Sequence, residues 1–175
     1  MHKTKTKQSI SKTERLLLAN QYEILQKLNN DDSFLSKRYR KLQAIFQAGA
    51  ECFYDEAFTD IADTLDEDFC QEVIQIFELR RAIRFSLKKS GISQEKMDEV
   101  ATIGFDGNNE CAHFSFARLL QQELNRFQEM SVENSHMPSL HCHRRMLDTW
   151  NSLDNRNHLS ETEIEALLKN LPTMY

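Results

Sequence analysis

Glycine and proline are scarce, with 4 Gly and 2 Pro in 175 residues, where average usage would supply about 20 of the two together. That shortage excludes collagen-like, linker and low-complexity chains, and it argues against a turn-rich β-sandwich or barrel, which needs many chain reversals. No apolar run approaches the ~18–20 residues that span a bilayer; the longest candidates resemble Leu16-Leu17-Leu18. The basic N-terminus, Met1 to Ser11, is not followed by the apolar stretch of a signal peptide. The expectation is therefore a cytoplasmic protein in which Cys52, Cys70, Cys111 and Cys142 stay reduced. No cysteine pair has C-x-x-C spacing. There is no Walker A sequence, G-x-G-x-x-G, G-x-S-x-G elbow or kinase signature. None of Gly49, Gly91, Gly104 and Gly107 opens a helix after a strand-like run, which removes nucleotide-binding α/β folds. No motif in the chain names a reaction.

What is present is helical. Apolar residues make up 40% of the chain and charged residues 28%, with a net charge of -5, a balance suited to one globular domain of ~100–200 residues. Residues 1–10 hold His2, Lys3, Lys5 and Lys7 with little apolar content and read as a mobile basic tail. Ser11-Lys12-Thr13-Glu14 is a capping box, and Leu17, Leu18, Tyr22, Leu25 and Leu28 follow at helical spacing. A second helix is expected from about Phe34 to Ala48, with Gly49 as its left-handed stop. Residues 51–79 then hold ten acids and no Lys or Arg. A short helix is expected near 55–64, and a long one from about Glu67 to Lys89 that opens with acids and closes with bases, as the helix dipole favours. One or two helical turns follow from Ser93 to Ala101. Thr102 to Gly107 reads as a turn, Asn109 to Met130 as one long helix, and 131–138 as a loop. Ser139 is expected to cap the next helix. A second capping box, Ser160-Glu161-Thr162-Glu163, starts a last helix that Pro172 stops. The expected fold is all-α: a compact single domain of seven to eight helices over residues 11–171.

Several segments in this order resemble the YfbU family of bacterial proteins, which has no established biochemical function. They are Arg15-Leu16-Leu17-Leu18-Ala19-Asn20-Gln21-Tyr22, Arg38-Tyr39-Arg40-Lys41-Leu42-Gln43, Ile103-Gly104-Phe105-Asp106-Gly107, Arg145-Met146-Leu147 with Trp150, and His158-Leu159-Ser160 with Glu163-Ile164. They span roughly residues 12–170. The resemblance implies an all-helical cytoplasmic protein and carries no reaction, cofactor or catalytic residue with it. The basic N-terminus and residues 131–143 depart from the family pattern, so His141, Cys142 and His143 take no support from it.

Three constellations carry chemical interest. Glu110-Cys111-Ala112-His113 is a Glu-x-x-His motif, and Glu133-Asn134-Ser135-His136 repeats the spacing. A di-iron bundle also needs two inward glutamates from other helices, and none is in view. His141-Cys142-His143 offers zinc-type ligands, but 141 and 143 point ~200° apart on a helix. Cys111 or Cys142 with a neighbouring His offers a nucleophile pair, against the ordinary use of a free Cys as a small apolar side chain. No cofactor, metal or catalytic residue is therefore assigned, and the sequence leans against an enzyme. Arg80, Arg81, Arg84, Lys88 and Lys89 form a basic end to the 67–89 helix. With Lys37, Arg38, Arg40 and Lys41, and with Tyr39 and Phe85 for stacking, they are the candidate nucleic-acid or partner contacts. The bland alternative is dipole complementation and ordinary surface charge.

The leading reading is a non-enzymatic interaction or regulatory module that self-associates as a homo-oligomer with two-fold symmetry. The module reading rests mainly on missing chemistry; the homo-oligomer is expected from eleven Phe in a polar chain, and the acidic run suits a basic protein partner or another copy. A nucleic-acid-associated regulator is the second reading, and a metal- or thiol-dependent enzyme the third. No membrane partner is expected.

Overall fold

The computed structural model describes residues 9–90 and 94–171. The chain is mostly helical, as expected, and its helices fall into two compact units divided after Thr64. Most of the basic tail, residues 1–8, lies outside the described residues, as do Gly91 and Pro172.

The first unit is a helical hairpin of α1 (Lys12–Leu28) and α2 (Ser33–Ala48), followed by a 3-10 helix over Glu51–Ala57. The capping box starts α1: the Ser11 amide donates to Glu14 Oε2 at 2.7 Å, and the Glu14 amide donates to Ser11 Oγ at 3.2 Å. Asp32 caps α2 by accepting from the Phe34 and Leu35 amides. Ala19, Leu42, Ile45, Phe46 and Tyr54 are the buried core, with Ile10 packed against it. Rings supply most of its substance. Tyr22 stacks on Phe46 at 5.8 Å and Phe46 on Tyr54 at 5.0 Å, in the offset range that aromatic pairs prefer. The helix expected at 55–64 is instead the 3-10 segment and an exposed irregular stretch. Tyr54 is its one buried side chain, which is too little apolar burial to hold an α-helix.

The second unit holds α3 (Glu67–Ser90), α4 (Gln94–Ala101), β1 (Thr102–Phe105), α5 (Cys111–Arg118), a π-helical turn (Leu119–Glu123), β2 (Ser131–Asn134), α6 (Leu140–Asn151) and α7 (Glu161–Leu168). Its core runs along α3, with Val73, Ile76, Phe77, Ile83 and Leu87 fully buried. β1 and β2 pair in parallel, Thr102 with Ser131 through Phe105 with Asn134. The sequence reads these segments as a turn and a loop. The strands are four residues long, and β1 is buried at three consecutive positions, so no in–out alternation marks it.

The long helix expected over 109–130 also breaks. The chain leaves the π turn through Asn125 and Phe127, both at positive φ. Left-handed backbone at a non-glycine residue is costly, and here it delivers Phe127 to the core. Phe127 stacks on Phe77 at 4.7 Å, with the Arg81 guanidinium 4.4 Å above its ring. A continuous helix would keep Phe127 on the stripe with Leu124, which is solvent-exposed.

Gly49 ends α2 at φ 69, the left-handed conformation that glycine adopts without a Cβ penalty. A Cβ there would meet the tip of the Arg15 side chain, which can swing away, so the backbone sets the cost. Gly49→Ala is expected to destabilise the protein by about 1–2 kcal/mol, read as a lower urea midpoint with an unchanged slope.

Candidate functional site

The site with the most polar chemistry lies in the second unit, where the end of β1, the start of α5 and the start of α6 meet. Glu110 immediately precedes α5 but makes no side-chain cap there. Its buried carboxylate turns back into the fold. Oε1 accepts from the amides of Ser139 (2.9 Å) and Leu140 (2.7 Å), and Oε2 accepts from the Asp106 amide at 2.9 Å. The Ser139 hydroxyl lies 3.0 Å from Glu110 Oε2 and 2.7 Å from the Gly104 carbonyl. Ser139 does occupy the position before α6, as the sequence predicts, but its own side chain makes no cap. Glu110, 29 residues upstream, is the acceptor that satisfies the first α6 amides, which have no partner within their own helix. A carboxylate there also meets the positive end of the helix dipole.

The loop feeding Glu110 is organised by the same logic. Asp106 accepts from the Asn109 side-chain amide at 2.5 Å and the Asn108 backbone at 2.9 Å. Those bonds, Asn109 first, hold its carboxyl below the usual range. Gly107 donates to Asn134 Oδ1 at 3.0 Å. A Cβ on Gly107 would sit 2.8 Å from the same amide, so the contact between the loop and β2 depends on glycine.

Below this cluster are two buried bases. His143 Nε2 lies 2.9 Å from the Gly104 carbonyl. A carbonyl can only accept, so Nε2 carries the proton and Nδ1 is left as a buried lone pair without a partner among the described residues. Burial first, and the Arg80 charge second, push the His143 pKa down to about 3 despite the carbonyl bond. Arg80 is 1% exposed, and among the described residues its Nε and Nη1 have no hydrogen-bond partner. Burial lowers its pKa to about 10, opposed by Glu99 and Cys142, so it stays cationic at neutral pH.

Beside the cluster, His113 Nε2 lies 3.1 Å from Glu72 Oε2. Its ring packs on Phe69 and Phe105. Arg144 forks onto the same Glu72, with Nε at 2.6 Å and Nη2 at 3.0 Å. That fork holds the Glu72 carboxyl below the usual range, against partial burial and with help from His113. One carboxylate thus joins α3, α5 and α6. A groove of about 290 Å³ opens on it, lined by Asp68, Gln71, Gln75 and Asp148 among others.

The sequence candidates are largely dispersed. Glu110 and His113 share a helix start but engage different partners, α6 amides and Glu72. Glu133 and His136 are both exposed around the end of β2. His141 is exposed while His143 is buried, as opposite faces of α6 require. Among the described residues no group of three His, Cys, Asp or Glu is placed to hold a metal. Cys111 is exposed; Cys142 Sγ lies 3.3 Å from His141 Nε2 and 3.5 Å from Arg145 Nη2.

The basic end of α3 is divided between interior and surface. Arg80 is in the core, 1% exposed, while the Arg81 side chain is half exposed. Arg81 binds the Glu129 carboxylate at 2.5 Å, and Arg84 binds the Glu129 backbone carbonyl. Lys88 is exposed, and the Lys89 side chain lies outside the described ones. In the first unit, Arg38 pairs with Asp60 and Lys41 with Glu56 at 2.6 Å. Tyr39 stacks with Tyr22 there, whereas Phe85 belongs to the second unit and stacks with His158. The Glu72–Arg144 fork and the capping role of Glu110 escape sequence reading, because nothing local pairs residues 72 apart or 29 apart.

The YfbU domain profile matches residues 8–170. The UPF0304 protein MJECS11 of Methanocaldococcus jannaschii is 33% identical over 170 residues, covering 91% of this chain and 98% of that protein.

Two outcomes follow from the cluster. Glu110→Gln replaces an acceptor oxygen by an amide NH2 and strands buried donors, so it should cost about 2–3 kcal/mol in urea unfolding. His143 binds a proton in the unfolded chain below about pH 6.5 and in the folded chain only near pH 3. Its contribution to stability is complete above about 6.5 and is lost as pH falls toward 3, at about 1.4 kcal/mol per pH unit. Between about pH 7 and 5, above the main carboxylate titrations, His143→Gln should flatten the fall in the urea midpoint.

Proposed function

The chain belongs to the YfbU family, and we propose that it works as a non-enzymatic interaction or regulatory module that self-associates. The supporting observation is the apolar balance of the first unit. Its core buries five apolar side chains, Ala19, Leu42, Ile45, Phe46 and Tyr54. Eight large ones are exposed in the same unit: Leu16, Leu17, Ile24, Leu28, Phe34, Phe53, Phe58 and Ile61. Single exposed apolar residues are ordinary, but apolar side chains that gather into one patch mark an interaction surface. The polar groups with catalytic potential in the second unit are engaged in holding secondary structure together. The four Glu110 contacts, the His143–Gly104 bond and the Glu72 fork are such engagements.

A cytoplasmic setting belongs to the same proposal, supported by four cysteines that are all free. Among the described residues no helix is long and apolar enough to cross a membrane. The nucleic-acid reading loses support from the burial of Arg80 and from the engagement of Arg81 and Arg84 by Glu129. Light scattering on untagged full-length protein at tens of micromolar is the test. The expected mass is an even multiple of 20.6 kDa, and a monomer at that concentration overturns the proposal.

A further inference from the structure

We propose that the outward stripe of α1 is a self-recognition surface, on which a second copy of this chain packs its own α1 antiparallel about a two-fold axis at Asn20 and Gln21. The proposal rests on the self-association reading and names its surface. At ~100° per residue, Leu17, Ile24 and Leu28 fall within an arc of about 40°. The residues that face the unit's core, Ala19 and Tyr22, lie on the opposite side of the helix. Leu17 is 64% exposed, Ile24 52% and Leu28 76%, with Leu16 at 60% on the border of the stripe. A helix that is apolar on opposite faces buries each against something. One face of α1 is spent on its own unit.

The amount and the chemistry fit a second copy. Full burial of a Leu or Ile at ~25 cal/mol per Å² corresponds to ~60–120 Å², so these four side chains offer on the order of 150–300 Å² of apolar surface. That is roughly a third to two thirds of the apolar share of a standard ~800 Å² patch. Phe34, at the hairpin tip, is 73% exposed and extends it. The stripe itself, Thr13, Leu17, Asn20, Gln21, Ile24 and Leu28, carries no charge, so it faces its own image without repulsion. The two bordering charges are already engaged within the chain. Glu14 belongs to the capping box, and Lys27 pairs with Glu23 at 2.6 Å. Reversing the stripe about Asn20 and Gln21 sets Leu17 against the other copy's Ile24 and Leu28 against its Thr13, with Asn20 and Gln21 of both copies at the axis. Apolar meets apolar of equal size at Leu17–Ile24, amides meet at the axis, and Leu28 meets the Thr13 methyl. Antiparallel helices also oppose their dipoles favourably. A point-group dimer with one isologous patch is the commonest closed assembly.

The test uses the full chain. Leu17→Lys and Ile24→Lys alter exposed positions and leave the fold intact by circular dichroism. Each is expected to raise the dimer dissociation constant by about tenfold or more, as central apolar anchors do. In a background with the four native cysteines changed to serine, Gln21→Cys should oxidise to a disulfide-linked dimer. Lys12→Cys, which is exposed but off the stripe, should not. A dimer that survives Leu17→Lys and Ile24→Lys, or in which Gln21→Cys fails to crosslink, overturns this surface and leaves self-association standing. A monomeric wild-type chain overturns both.

Discussion

The buried carboxylate of Glu110 is the constraint on which the second unit depends. A helix start placed in the interior leaves amides that must be satisfied, and α6 starts there. Its own cap residue, Ser139, has helical backbone angles and turns its hydroxyl to Glu110 and the Gly104 carbonyl. Glu110 supplies the missing acceptors while also receiving the Asp106 amide from its own loop. One side chain therefore fixes the entry to α5, the entry to α6 and the exit of β1. The parallel strand pair follows from that arrangement. β1 and β2 are far too short to stand alone, and they persist because the loops at their ends are tied through Gly107–Asn134 and through Glu110.

The same packing explains the most costly groups in the unit. α3 crosses the core with Arg80 on the same side as Ile76, Phe77 and Ile83. The Arg80 charge depresses the His143 pKa, so the ring stays neutral and its single N–H serves Gly104. Buried nitrogens on both residues, unpaired among the described residues, carry a desolvation cost that stronger interactions elsewhere must exceed. Glu72 offsets part of it nearby. A charge-assisted fork from Arg144 is among the stronger side-chain interactions, and it locks α3 to α6.

The first unit is governed by a different limit. A hairpin and a 3-10 turn enclose little volume, so rings carry the core: Tyr22, Phe46 and Tyr54 in one stacked series. Small units bury a small fraction of their surface, and α1 carries more apolar side chains than its own unit covers.

Local chemistry was legible in the sequence. Both capping boxes, the glycine stop at Gly49, the acid-to-base polarity of α3, the all-helical class and the family came from residue types at fixed short spacings, because caps and helix stripes are set by neighbours three or four positions apart. What the sequence left open was decided by contacts between distant segments. The break of the 109–130 helix depends on a place for Phe127 beside Phe77. The strand pair depends on burial of β1 on both faces, which erases alternation. Arg80, a surface candidate by composition, is interior because α3 turns that side to the core. The pairing of Glu110 with Ser139, and of Glu72 with Arg144, exists only once the helices are packed, since a carboxylate chooses among distant donors by position in space and leaves no local pattern in the chain.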